Sequence, residues 1–397
     1  MRRLSPAFVL NVFFVLLTAQ AATAQKYTVT DLGTLGGIQS VGLDISKSGD
    51  VTGSSSVVCP GCGSTHAFLY RDGQMQDLGT LPNGSSSEGL GISVKRERGA
   101  RREDLGQKNR REDIQITGES NLKSACSNQC GPIHAFLYSD GKMQDLGTLP
   151  GGISSVGYAV NRKGQVTGWA DEGQNQHAFL YSNGHMRDLG TLPGGITSFG
   201  IDLNNGDSKG ERNEEEGEDR QDTVQVTGFS SAADGNEHAF LYSNGTMQDL
   251  GTLPGGRYSA GRAINQSGEI TGYSATPDAG IHAFLYSNGS MKDLGTLPGK
   301  SFSYGEGINR HGQIVGNARN LFDPHAFLYS HGAMQDLNNL IPSNSGWVLE
   351  FADAINDRGL ITGSGNHDGQ THAFLLTPTC TQRGAHDQDC DEQNKQE

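Results

Sequence analysis

Residues Ser259 to Leu297 read SAGRAINQSGEITGYSATPDAGIHAFLYSNGSMKDLGTL, and this stretch decides the fold. It divides into four short β-like runs: a from Ser259 to Asn265, b from Glu269 to Ser274, c from His282 to Tyr286, and d from Ser290 to Leu297. Between c and d stands Asn288-Gly289, the pair that a two-residue type I′ hairpin needs because both central residues take positive φ. Strands c and d are therefore expected to pair antiparallel, and the a-to-b link INQSGE is a second tight turn ending in Gly. Four consecutive apolar residues in AFLY require burial of strand c on both faces, whereas a half-solvated strand alternates apolar and polar residues. Strand a, rich in Gly, Ala and Ser, suits crowded strands around an axis.

The unit recurs along the chain. HAFLY, or once HAFLL, begins at His66, His134, His177, His238, His282, His325 and His372; DLGTL, or once DLNNL, begins at Asp31, Asp77, Asp145, Asp188, Asp249, Asp293 and Asp336. Successive HAF spacings are 68, 43, 61, 44, 43 and 47 residues, a period near 43 with two enlarged units. Four antiparallel strands in a unit of that length make the blade of a β-propeller, and seven copies predict an all-β, seven-bladed ring. A β-solenoid is the competing reading, but its coils are shorter and need no Asn-Gly hairpin in every turn. The chain opens on a d-type run alone, Tyr27 to Leu35, and stops after a c-type run, His372 to Leu376. Pairing the two would complete a seventh blade and remove the exposed edges of an open array.

In these repeated triplets the chain resembles the bacterial HAF-repeat family of extracellular proteins, named for His-Ala-Phe. The resemblance covers about residues 27 to 376. One HAF triplet would be uninformative; seven in step with DLGTLPGG are specific. The resemblance implies export and a repeated fold, and it brings no agreed activity and no catalytic residues.

Composition agrees with a turn-rich folded protein. Gly numbers 57, Pro only 12, and apolar residues are 34%, which excludes collagen-like and proline-rich disordered chains. The formal charge of -14 argues against nucleic acid or an anionic membrane as partner, leaving an extracellular protein or a glycan. At the N-terminus, Arg2 and Arg3 precede an apolar core from Ala7 to Leu17 and the small-residue site Ala22-Thr23-Ala24, which reads as a signal peptide over residues 1–24. A membrane anchor would need about 20 apolar residues, roughly twice that core. The expected organisation is a secreted, extracellular or periplasmic monomer, with the propeller over residues 25–378 and a polar tail over 379–397.

Seven His and seven Asp invite a metal or catalytic reading, and geometry opposes it. In six units the Asp follows the His by 11 residues, which sets the two side chains diagonal to each other across the c-d hairpin, and His372 would meet Asp31 through closure. Such pairs spread around a ring cannot converge on one metal, so structural pairs within each blade are expected, similar to the His-Asp networks of WD-type propellers. A specific site must come from residues that break the repeat. Arg257, Tyr258, Phe302 and Trp347, near the starts of the last three a strands, are candidates for stacking on a sugar or aromatic ligand, against the alternative that they plug the channel or pack on loops.

The remaining features leave alternatives open. Cys59, Cys62, Cys126 and Cys130 fall in b-to-c loops of neighbouring blades, with Cys380 and Cys390 in the tail; export and an even count favour disulfides, while CPGCG also resembles a zinc knuckle. Inserts at Val94 to Asp113 (net +3) and Asn204 to Thr223 (net -5) lie at a-to-b turns and read as solvated loops, with mutual attraction or partner docking as alternatives. No phosphate loop, nucleophile elbow or HExxH motif occurs, and no cofactor is implied. Glu88, Glu306 and Glu350 lie near the expected axis without a spacing that demands catalysis. A non-catalytic binding scaffold is therefore the favoured reading, with a polysaccharide hydrolase or lyase as the alternative.

Overall fold

The computed structural model describes residues 27–58, 64–95, 113–122, 131–206 and 224–379. The expected leader, all six cysteines, most of both charged inserts and nearly all of the tail lie outside the described residues. Within them the chain forms 28 strands, and each of the seven repeats contributes four antiparallel strands; five repeats are separate sheets, while the fifth and sixth are joined by the parallel bridge Ile281–Phe302. In the third blade, strand a is Ser155–Val160, b is Val166–Glu172, c is Asn175–Ser182 and d is His185–Asp188. The c-d turn has Asn183 at φ 53° and Gly184 at φ 84°, as the hairpin signal requires, and sets Tyr181 opposite Met186 and Phe179 opposite Asp188.

Strand d is shorter than the sequence suggests. The expected run from Ser290 to Leu297 ends at Asp293, and the N-terminal run from Tyr27 to Leu35 ends at Asp31. The cause is the Asp side chain: Asp293 Oδ1 accepts the N–H of Gly295 at 2.7 Å, and Gly295 has φ 68°, so the chain turns out of the sheet toward the next blade.

Burial follows the HAF signal. The seven Phe side chains, from Phe68 to Phe374, and the Ala before each have no solvent exposure, and they lie in apolar clusters shared with the neighbouring blade. Two sets of hydrogen bonds and one close approach lock the blades together. In six blades a Ser opens the conserved part of strand a: Ser155 Oγ accepts the N–H of Ala135 at 2.9 Å and donates to the Gly147 carbonyl at 2.5 Å, both on the preceding blade. In those six blades the strand-a residue two positions later is Gly, and a Cβ on Gly157 would lie 2.3 Å from Thr117 Oγ1 of the preceding blade. At the other end of strand a, Asn side chains of the third to seventh blades form a ladder, each Nδ2 donating to the next blade's carbonyl, as in Asn265 to Asn309 at 3.1 Å.

The ring closes. Tyr27–Asp31 pairs antiparallel with the last strand, Gln370–Pro378, in a register running from Tyr27 opposite Pro378 to Asp31 opposite Phe374. Asn356 of the seventh blade donates to Ser46 of the first at 2.9 Å, continuing the ladder, and Ser40 joins Ala373 as its counterparts do elsewhere. The seven a strands touch one another in a complete cycle.

Candidate functional site in the axial channel

Every strand a carries the same irregularity. Its register against strand b shifts at Gly42/Asp44, Gly89/Gly91, Gly157/Ala159, Gly200/Asp202, Gly261/Ala263, Gly305/Gly307 and Ala352/Ala354. A β-bulge re-aims the side chain of its extra residue. The seven extra residues, Leu43, Leu90, Tyr158, Ile201, Arg262, Glu306 and Asp353, all line one axial cavity of about 250 Å³. The bulges thus turn one variable side chain per blade toward the axis.

The chemistry of this lining is uneven. Arg262 Nε donates to Glu306 Oε2 at 2.7 Å, and the Glu306 charge holds the guanidinium protonated. Asp353 is next to this pair, and its Oδ2 is buried without a hydrogen-bond partner among the described residues. Burial, with the Glu306 charge adding to it and Arg262 opposing, pushes Asp353 up to about 8. Asp44 and Asp202 also line the cavity, and each accepts a backbone N–H from a following blade, of Ile92 and Ile264 respectively, at 2.8 Å. Burial raises both to about 7 against those amide bonds. All three carboxyls touch a narrow channel yet lie deep in the molecule, so the water they reach solvates them poorly.

These shifts set a pH dependence. Each carboxyl is raised in the folded state above its unfolded value near 4, so the folded protein holds protons that the unfolded chain releases. Their contribution to stability is complete below about pH 4 and is lost as pH rises through 7 to 8. The melting temperature should therefore fall between about pH 5 and about pH 9, and the double variant Asp44→Asn, Asp202→Asn should flatten that fall. A melting temperature that rises over this range would show that the three carboxyls do not govern it.

A wider ring of side chains flanks the bulges on the side where strand a begins. It is built from the cross-strand a-b pairs Val41–Ser54, Glu88–Glu119, Val156–Trp169, Phe199–Phe229, Ala260–Tyr273, Tyr304–Asn317 and Phe351–Ser364. Trp169 meets Phe199 edge-on at 6.2 Å, Phe199 stacks on Phe229 at 4.8 Å, and Tyr273 meets Tyr304 edge-on at 5.1 Å. The Arg319 guanidinium lies over the Tyr304 ring at 4.8 Å. Between the first and second blades, Ser54 donates to Glu88 at 2.9 Å, and burial together with the Glu88 charge raises Glu119. Tyr158 lies beside Trp169 and feels the charges of Glu119, Arg262 and Glu88, so this ring and the bulged residues share one electrostatic environment. All five aromatics are half-buried, which leaves part of each ring open.

The residues singled out from the sequence are distributed otherwise. Arg257 is exposed, and Tyr258 is half-buried near Tyr304 at the rim. Phe302 is half-buried at the start of its strand, bridging to Ile281. Trp347 is only 9% exposed: its ring lies flat on His367 at 4.5 Å and meets Phe374 edge-on at 5.9 Å. The structure does not bring these four together. Glu88 and Glu306 do face the axial site, while Glu350 occupies an additional register shift in the seventh strand a. The His-Asp pairs are His66–Asp77, His134–Asp145, His177–Asp188, His238–Asp249, His282–Asp293, His325–Asp336 and His372–Asp31, with Nδ1 to carboxylate distances of 2.6–2.9 Å at the outer hairpins.

No family model matches the sequence, and no curated protein matches it. Among solved structures, the chain is similar to YCF48 bound to D1 peptide, with 9% identity, a TM-score of 0.49, and coverage of 91% of this chain and 98% of that one. A Mycobacterium tuberculosis puromycin-hydrolyzing peptidase shows 10% identity and a TM-score of 0.47 over 91% of this chain and 56% of its own. The Aleuria aurantia lectin in complex with α-methyl-L-fucoside shows 13% identity and a TM-score of 0.34 over 75% and 97%. The propeller assignment rests on this chain's own strand pairing.

Proposed function

We propose that the protein is an exported, non-catalytic binding propeller of the HAF-repeat type, which takes a sugar unit of an extracellular glycan into the axial funnel. The observation that carries this reading is the placement of Trp169, Phe199, Phe229, Tyr273 and Tyr304 with the carboxyl groups Glu88 and Glu119 in the ring of a-b pairs that flanks the seven bulges. Aromatic faces pack on the C–H faces of a sugar, while carboxylates accept from its hydroxyls. The net acidity of the lining, with Arg262 already neutralised by Glu306, favours neutral or cationic glycans over acidic ones. Exposed Ile153, Ile196 and Phe322, in d-to-a and b-to-c loops, extend the contact area beyond the funnel.

The test is a glycan array probed with the purified protein, followed by titration of the best ligand against variants. Trp169→Ala and Tyr273→Ala should each weaken binding by about 1 to 3 kcal/mol, as expected for aromatic anchors, with a cooperative melt retained. Unchanged affinity in both would remove the site from the funnel. One observation favours a second reading, a polysaccharide hydrolase: Glu119 is pushed toward its neutral form directly opposite Glu88, which resembles the division between acid and base in glycoside hydrolysis. Turnover of a polysaccharide that is lost in Glu119→Gln would establish it in place of the binding reading.

A further inference from the structure

The seventh blade departs from the other six where the ring is sealed. Asp31, on the first strand, lies 2.9 Å from Nδ1 of His372 on the last strand, as the repeat dictates. A second histidine, His367 at the end of strand b, brings its Nδ1 to 3.1 Å from the same carboxylate oxygen. One donor atom from each of the three residues lies within 4.8 Å of the other two. Elsewhere the b-to-c loop adds a carboxylate to the repeated pair, as Asp234 does beside His238 and Asp323 beside His325. Among the described residues, the closing blade alone gathers two imidazoles and a carboxylate.

The geometry points to a divalent transition-metal site, for a zinc-like ion held by Asp31, His367 and His372. Two ligands each about 2.0–2.1 Å from a tetrahedral zinc stand about 3.3 Å apart, close to the observed nitrogen-oxygen separations. Imidazole with carboxylate suits zinc, copper and nickel rather than calcium or magnesium. The three side chains are 16–31% exposed, so water can complete the coordination. His367 is held in place by the Trp347 ring stacked on it with an interplanar angle of 5°. That gives Trp347 a positioning role at the closure. A metal here would bond residue 31 to residues 367 and 372 and so clamp the two ends of the ring; because it binds only the closed form, it would raise the stability of that form by mass action.

Trp347 also supplies the readout. The chain has two Trp, so the Trp169→Phe variant leaves Trp347 as the only indole, and a Cu²⁺ ion bound at His367 would quench its emission. In that background we expect quenching that saturates at one equivalent of Cu²⁺, is relieved by Zn²⁺ or EDTA, and is accompanied by a higher melting temperature with Zn²⁺. His367→Gln, which leaves the repeated His372–Asp31 pair intact, should weaken the metal by more than about 100-fold, beyond the 10- to 100-fold that loss of an outer-shell partner typically costs. His372→Gln serves as a second ligand variant should His367→Gln disturb the fold. His177→Gln, in the third blade, should leave quenching unchanged and controls for surface binding. Cysteine-bound metal lies apart from this readout, since thiolate coordination would not respond to His367→Gln. Absence of saturable quenching, or a midpoint unaffected by both ligand variants, overturns the site.

Discussion

A chain lacking residues 27–35 should lose most of its cooperative stability. The strand Tyr27–Asp31 is the outer strand of the seventh blade, and without it the edge of Gln370–Pro378 is left unpaired. The deletion also removes Tyr27, which is 1% exposed, and Leu32, which is 4% exposed, from two different apolar clusters. Leu32 further donates its N–H to the Ala373 carbonyl at 3.0 Å, and Tyr27 to Leu340 at 2.8 Å. At about 1.5 to 3 kcal/mol for each buried side chain, with the half-buried Val29 adding to them, the loss is on the order of 5 kcal/mol before any ladder bond is counted. That approaches the whole stability of many domains. Thermal and urea unfolding of the deletion variant against the parent measures it. An unchanged transition would mean that the blade is held by Trp347–Ile355, Ile361–His367 and Gln370–Pro378 alone.

The parts of this structure legible in the sequence are those that the chain repeats. AFLY announced a strand buried on both faces, and each Phe of the seven units proves fully enclosed. Asn-Gly announced the hairpin and set the Phe179–Asp188 register. The axial site was not legible in the same way, because no local signature marks a bulge: Glu88 and Glu306 could be placed near the axis without a role, and Arg262 read as an ordinary residue in a strand of small side chains. The expectation that a site lies where the repeat breaks was applied just upstream of strand a, and further breaks lie within the strands. After the Thr-Gly of strand b, or its Val-Gly counterpart, the next residue is in turn Ser54, Glu119, Trp169, Phe229, Tyr273, Asn317 and Ser364, while its flanks barely change. Trp347 stands out in composition, yet its ring packs on His367 and Phe374, which come from strands b and c of its own blade.

That contrast between a constant Gly and a variable next residue leads to the second large effect. Gly272→Ala should destabilise the protein by about 4 kcal/mol or more, whereas Tyr273→Ala should cost little stability beyond the roughly 0.5 to 1.5 kcal/mol of its aromatic pair. A Cβ on Gly272 would lie 1.9 Å from the Ala260 carbonyl oxygen, and its next contacts, 3.0 and 3.1 Å away, are backbone atoms as well. No side chain can swing aside to make room. The crowding has a structural origin: Gly272 stands opposite Gly261, immediately before the register shift that makes Arg262 the extra residue. Strand a can bulge there only if strand b offers no side chain beneath it. The same close approach recurs at Gly53, Gly118, Gly168, Gly228, Gly316 and Gly363, each with a carbonyl oxygen of strand a at 1.8–2.0 Å from the hypothetical Cβ. These glycines therefore hold the bulges, and the bulges aim seven variable side chains at the axis. Relief of the clash in Gly272→Ala would straighten strand a and turn Arg262 away from Glu306, so whatever fraction of the variant folds should also bind its ligand poorly. Tyr273→Ala should show the opposite division, a cooperative melt with weakened binding. Parallel unfolding and titration of the two variants tests the partition. A Gly272→Ala protein that melts like the parent would show that the bulge tolerates a side chain, and the link from glycine to bulge to axial site would fail with it.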